Sequence, residues 1–139
     1  MTAIDTNVMV TLNSQNAAVK TVSKTAFEKA AAAGPICVSG AVFAELLGLP
    51  GKDPDSLVQM FESLGISVEW NLNQSDWETA GLAYQGYVRR RRASRGGLPR
   101  LMLTDFLIGA HATVRGYSLL TLDKRIYDAA FPGLRIEIF

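Results

Sequence analysis

The chain has 139 residues, 48% of them hydrophobic and 19% charged, with a net charge of +1. These values fit one domain spanning residues 1–139 that buries a real core, and they exclude partner choice by bulk charge. No apolar run approaches the roughly 18 residues of a membrane helix, and no basic segment leads into a long apolar one, so neither a membrane span nor a signal peptide is expected. Cys37 is the only cysteine, which rules out an internal disulfide; the expected setting is a reducing cytoplasm, with Cys37 packed as a small hydrophobe in "PICVSG".

"TAI" is a short strand that ends at Asp5, and a helix from about Thr6 to Leu12 follows. A second helix covers roughly Asn16 to Ala33, with Val19, Val22, Ala26 and Ala30 sharing a face; Gly34-Pro35 stops it. "ICVS" is the next strand and "AVFAELLGL" a short helix. After the turn "GKDPDS", Leu57, Met60, Phe61 and Leu64 recur at helical spacing up to Gly65. "ISVEW" is a third strand. Ser75, with Glu78 three residues on, predicts a capping box that opens a helix to about Arg92, with Trp77, Ala80, Tyr84 and Val88 as its buried stripe. A loop runs from about Ser94 to Leu101. The helix "TDFLIGAHATVR" closes at Gly116, and "YSLLT", "DKRIYDAAF" and "RIEIF" are a strand, a short helix and a last strand. Strands alternating with helices predict an α/β fold: an open, mostly parallel sheet of about five strands with helices on both faces. Ligands of such folds bind beyond the carboxyl ends of the strands.

Four acids stand out on this frame. Asp5 ends the first strand, and Asp123 follows "YSLLT", so both belong at the same edge of the sheet. Glu45 has Ala41, Val42, Gly48 and Leu49 as its helical neighbours, an apolar face where an unpaired charge is costly. Asp105 opens a helix whose same face carries Ile108, Gly109 and Ala112. Each acid also has a structural explanation: Asp5, Asp105 and Asp123 as caps or first-turn acids, Glu45 as the partner of an arginine. Convergence on one divalent cation explains all four at once. A hard ion such as Mg²⁺ or Mn²⁺ takes oxygen ligands, whereas zinc would call for a His or Cys cluster that is missing. His111, the only histidine, lies six residues beyond Asp105 and so points about 120° away from it on a helix, which disfavours a shared role.

"RRRRASRGGLPR" gathers Arg89, Arg90, Arg91, Arg92, Arg95 and Arg100. The first four cover most of a helical circumference and suit the last turn of a helix. Arg91 falls close to the Trp77–Tyr84 stripe and is expected to turn toward the crevice. A basic rim beside an acidic metal pocket suits a nucleic-acid backbone, so Arg91, Arg92 and Arg95 are the candidate phosphate-binding residues.

"IDTNV", the acid in "VFAELL", "LTDFLIGAHA" and "LLTLDKRIYDAAFPG" together resemble, in order and over essentially the whole chain, the four acidic motifs of PIN-domain nucleases. Within that family the chain is most similar to the VapC toxins of bacterial toxin–antitoxin pairs. The resemblance implies a single PIN domain, a three-layer α/β/α arrangement, and endonucleolytic cleavage of RNA with one or two Mg²⁺ or Mn²⁺ ions, giving 5′-phosphate and 3′-hydroxyl ends, and it makes Arg91, Arg92 and Arg95 candidate RNA-binding residues. It places Asp5, Glu45, Asp105 and Asp123 as catalytic metal ligands, Asp123 being the acid that varies most in the family. Asn7 falls on the polar position of the first motif and Thr121 on the small hydroxyl position before the last acid, as supporting residues. It further implies a VapB-like antitoxin partner, whose C-terminal segment crosses the active site, and a homodimer.

Two other acid-centred folds fit less well. A haloacid dehalogenase-type phosphatase needs an aspartate where Asn7 stands, and a receiver domain needs a phosphoacceptor on a middle strand that "ICVS" and "ISVEW" do not offer. The non-enzymatic alternative is a catalytically weak PIN-fold module that binds RNA or an antitoxin; the presence of all four acids argues against it.

Overall fold

The computed structural model describes residues 1–98 and 103–139. Five strands, β1 (Thr2–Ile4), β2 (Ile36–Ser39), β3 (Ile66–Glu69), β4 (Ser118–Leu120) and β5 (Ile136–Glu137), form one sheet in the order β3-β2-β1-β4-β5. Every pairing is parallel. Seven helices separate them among the described residues: α1 (Thr6–Leu12), α2 (Ala17–Ala33), α3 (Gly40–Leu47), α4 (Pro54–Ser63), α5 (Gln74–Ala93), α6 (Leu103–Arg115) and α7 (Lys124–Ala130). The central strands are buried on both faces: Thr2, Ala3 and Ile4 are all buried, as are Ile36, Cys37, Val38 and Ser39.

The chain lays down β1, β2 and β3 in one direction, then crosses back to place β4 on the free side of β1. Right-handed crossovers put α1 to α4 on one face and α5 to α7 on the other, and the helix contacts follow that division. Between the two groups, the main contact among the described residues is that of α3 with α6. The strand order therefore reverses between β1 and β4. At that seam the residue after β1 is Asp5 and the residue after β4 is Thr121, so the switch point of the fold is built from two residues singled out by their sequence motifs.

Ile4, Met9, Phe61, Phe106, Leu119 and Tyr127 are among the largest fully buried side chains. Gly109 is required by close approach: a Cβ there would lie 2.2 Å from the Phe131 ring, so α6 packs directly against the end of α7. Three sequence expectations are corrected. The second helix buries Ser23, Phe27 and Ala30, while Val19 and Val22 are exposed. The long helix starts one residue earlier than expected, capped by Asn73 with Asp76 at the third position rather than by Ser75 with Glu78. On the same helix Trp77 is exposed; Ala80 is buried, with Ala83, Tyr84 and Tyr87 packed beside it. No helix among the described residues is long and apolar enough to cross a membrane.

Candidate active site

Asp5 occupies the N-cap position of α1 with extended backbone, yet its side chain makes no capping bond. Its carboxylate is instead held from the side. Asn7 Nδ2 donates to Asp5 Oδ2 at 2.8 Å, and Thr121 Oγ1 donates to the same oxygen at 2.6 Å. Asn7 Nδ2 also reaches Thr121 Oγ1 at 3.2 Å, and Asn7 Oδ1 accepts from the Leu122 amide at 3.1 Å. The Asp123 amide donates to Thr121 Oγ1 at 3.1 Å. Asn7 and Thr121 thus clamp Oδ2 and tie the end of β1 to the end of β4, while neither touches Oδ1.

Glu45 lies in the last turn of α3, the helix end at which the dipole disfavours an acid. Its partner is the Thr6 hydroxyl, which donates to Oε2 in a short contact. Asp105 lies in the first turn of α6, where the dipole favours it. Asp5, Glu45 and Asp105 all line one open cleft of about 920 Å³, with Thr6, Asn7 and Thr104 between them. Its described lining contains no Lys or Arg. Burial pushes the Asp5 carboxyl above its ordinary range; bonds from Thr121 and the Thr6 amide and the nearby Tyr127 hydroxyl oppose the shift, and the charge of Glu45 adds to it. An acid so placed is stabilised in its ionised form by a cation.

Asp123 is arranged differently. Its carboxylate caps α7 by accepting from the Arg125 amide at 3.1 Å, and it pairs with the exposed Arg125 side chain at 3.5 Å. It does not line the cleft with the other three, so its structural alternative is realised while the capping alternative for Asp5 is not.

The arginine segment divides as well. Arg91 does not turn to the crevice: its Nε donates to the Leu98 carbonyl at 2.8 Å and its NH2 group to that of Gly96, which folds the loop back on the end of α5. Arg89, Arg90, Arg92 and Arg95 are exposed around the helix end, and Arg95 takes a positive φ of 56° in that loop. Arg100 lies outside the described residues.

A second polar cluster fills the opposite flank of α6. Glu69, the last residue of β3, accepts from His111 Nε2 at 2.7 Å, Tyr117 Oη at 3.0 Å and Arg115 Nε at 3.0 Å. Arg115 also pairs with fully buried Asp76. Burial pushes the Asp76 carboxyl up, but the bonds from Arg115 and the Asn73 amide outweigh it and hold the group below the usual range. Burial likewise lowers His111, which is neutral and donates from Nε2, leaving buried Nδ1 without a partner. Cys37, Glu69 and His111 bring ligand atoms within 4.8 Å of one another. Glu69 is already filled by three donors, with Arg115 supplying the positive charge, and burial pushes the Cys37 thiol up to about 12. This cluster therefore has its own cation and an inert thiol.

Sequence reading missed Thr6, which holds Glu45, and Tyr127, a fully buried residue of α7 whose ionisation is coupled to Asp5, Asp105 and Glu45. Thr6 follows Asp5 directly, but its partner is 39 residues away, and no local pattern marks it. Tyr127 reads as an ordinary core aromatic.

Comparison with known proteins agrees with this architecture. The family described as PIN domain matches residues 2–132. No curated protein matches the chain. Among solved structures, VapBC2 from Rickettsia felis bound to a promoter DNA fragment aligns with a TM-score of 0.65 at 20% identity, covering 99% of this chain and 97% of that one. VapBC-1 from nontypeable Haemophilus influenzae aligns at 0.63 and 17%, covering 99% and 96%. FitAcB from Neisseria gonorrhoeae aligns at 0.61 and 19%, covering 98% and 96%.

Proposed function

This chain belongs to the PIN domain family, and on that premise we propose that it is a Mg²⁺- or Mn²⁺-dependent endoribonuclease, the toxin of a toxin–antitoxin pair, acting as a single domain. The observation that carries the reading is the cleft itself: three carboxylates from three separate elements, two of them held by neutral donors. That donor set fits a hard cation, which would restore the charge balance that no described lining residue supplies. Asp5, Glu45 and Asp105 would hold the ion, and Asp123 at the rim would act through a water or a second ion.

Bound there, Mg²⁺ or Mn²⁺ supplies a water ionised near neutral pH and charge stabilisation at the phosphoryl oxygens. The chain's own residues do the rest. Asn7 and Thr121 fix the plane of the Asp5 carboxylate, and Thr6 fixes Glu45, so both are presented in one orientation. The half-buried walls formed by Ala41 and Leu107 narrow the approach to the acids. Of the lining hydroxyls, Thr6 donates to Glu45 and Thr11 to backbone carbonyls, and hydrolysis by water with 5′-phosphate and 3′-hydroxyl products is the chemistry proposed. Arg92 and Arg95, on the free side of the α5 end, would contact RNA phosphates, and Arg91 would support them by shaping the loop.

The structures it resembles include VapBC assemblies and a toxin–antitoxin complex from Klebsiella pneumoniae, which supports a VapB-like antitoxin as partner; a homodimer and a cytoplasmic place of action are further parts of the proposal. The test is incubation of RNA with the protein and Mg²⁺ or Mn²⁺, with EDTA and Asp5→Ala as controls. Cleavage only with metal and intact Asp5 is expected. Cleavage in EDTA, or full activity of Asp5→Ala, would sink the proposal, and metal binding without any cleavage would leave a binding module.

A further inference from the structure

Tyr127 is fully buried, and its hydroxyl makes no hydrogen bond of normal geometry among the described residues. Buried hydroxyls are almost always paired, because an unpaired one forfeits about 1–3 kcal/mol of hydration. The surroundings sharpen the anomaly. Tyr127 lies on α7 beneath the cleft, close enough to Asp5 to interact with its carboxylate and within the field of Asp105 and Glu45. Asp5 already accepts from Asn7 and Thr121, both on Oδ2. A phenol hydroxyl can donate one hydrogen bond, and no other acceptor takes it among the described residues.

We propose that Tyr127 is a positioning residue for the metal site, its buried hydroxyl completing a hydrogen bond to Asp5 when a divalent cation draws that carboxylate into its ligating position. The inference rests on the assignment of Asp5 as a metal ligand. A donor behind a ligating carboxylate fixes its orientation and opposes its rotation, and such outer partners are worth about 10–100-fold in metal affinity. A hydrogen bond from Tyr127 to Asp5 would satisfy the buried hydroxyl as well as fix the carboxylate.

The test is Tyr127→Phe, which removes one oxygen and leaves the ring. Mn²⁺ binding is measured by calorimetry and by the electron-spin signal of free Mn²⁺, with Asp5→Asn as control. Without metal, Tyr127→Phe should melt at or above the wild-type temperature, because the lost hydroxyl had no partner. Its Mn²⁺ dissociation constant should rise about tenfold, and the metal concentration for half-maximal RNA cleavage should rise in step, while the rate at saturating Mn²⁺ stays near wild type. A purely structural hydroxyl would instead lower the melting temperature and leave Mn²⁺ affinity alone. Wild-type Mn²⁺ affinity in Tyr127→Phe, with binding lost in Asp5→Asn, overturns the role of Tyr127 and leaves the metal site standing. Unchanged binding in Asp5→Asn overturns the metal site and the inference with it. Should Tyr127→Phe fail to fold, 3,5-difluorotyrosine at position 127 keeps the shape while altering donor strength; an altered Mn²⁺ affinity supports the proposal and an unaltered one overturns it.

Discussion

Two groups of carboxylates flank α6, and they are treated in opposite ways. Near its start, Asp105 shares a cleft with Asp5 and Glu45, and the donors to Asp5 and Glu45 are an amide and hydroxyls. Toward its end, Arg115 and His111 face Glu69 and Asp76, and the acids there are matched by a guanidinium within hydrogen-bond reach. Among the described residues, one helix therefore borders both acids held by neutral donors and acids matched by a guanidinium. Charge balanced by an internal cation stabilises the fold; charge held by neutral donors costs stability and is available to an external ion.

The sharpest way to break this comparison is to neutralise one acid on each side. Asp5→Asn should reduce metal-dependent RNA cleavage about a thousandfold or more, since a ligand is lost where the activated water is held, yet raise the metal-free melting temperature by removing a buried charge. Loss of activity with a lowered melting temperature would show that Asp5 is structural after all. On the other side, Arg115→Met leaves Glu69 and Asp76 without their cation and should cost about 3–5 kcal/mol in urea unfolding. A cost below about 1 kcal/mol would mean that the network is solvated like an ordinary surface pair.

A smaller effect is expected where the two regions are joined. Gly109→Ala forces a methyl group against Phe131 and should destabilise by about 1–3 kcal/mol, lowering cleavage and stability together because α6 positions Asp105 as well as Arg115. An unchanged unfolding midpoint would show that α7 yields without strain.

The pH dependence separates the regions by sign. His111 and Asp76 are held below their ordinary values, so in the folded state they resist protonation; their contribution is full above the unfolded values and is lost as pH falls below about 6.5 for His111 and then about 4 for Asp76. Asp5 is raised, so its ionisation costs stability near neutral pH and the cost fades as pH falls through its folded value toward 3.8. The stability advantage of Asp5→Asn over wild type should therefore be largest near pH 7 and vanish toward pH 4. An advantage that grows with acid would reverse the assignment. The smallest effect belongs to the rim: replacing Arg92 and Arg95 with alanine should lower the salt slope of RNA affinity by about one per phosphate contact removed. No change in slope would remove them from the interface.

Much of the cleft was legible beforehand. Asp5 and Glu45 could be picked out because each breaks a local rule, an acid at a strand end or on an apolar helical face, and rule-breaking residues cluster where function overrides stability; Asp105, a favoured first-turn acid, was legible through its motif. The elements were legible for the same local reasons: β1, α1 and β2 fall where alternation, glycine and proline place them. The misreadings have long-range causes. The N-cap of α5 is Asn73 rather than Ser75, and its third residue, Asp76, also pairs with Arg115, 39 residues on. Val19 and Val22 suggested the buried face of α2, but packing selects Phe27 and Ala30, and the polar Ser23 is accommodated by its bond to the Val19 carbonyl. Arg91 was expected at the crevice by its spacing, and the return of the loop captures it first.

By itself, then, the chain's order of residues determined the alternation of strands and helices, the four carboxylates that recur in motif order, and the family they belong to, because these are properties of neighbours within a few residues or of motif order. Only the tertiary structure decided which acids meet. It put Asp5 beside Thr121 across the β1–β4 seam, gave Glu45 the Thr6 hydroxyl, turned Asp123 to cap α7, and buried the Tyr127 hydroxyl under the cleft without a bond of normal geometry. Those choices follow from strand order and helix packing over separations of up to 116 residues, distances at which local propensity carries no information.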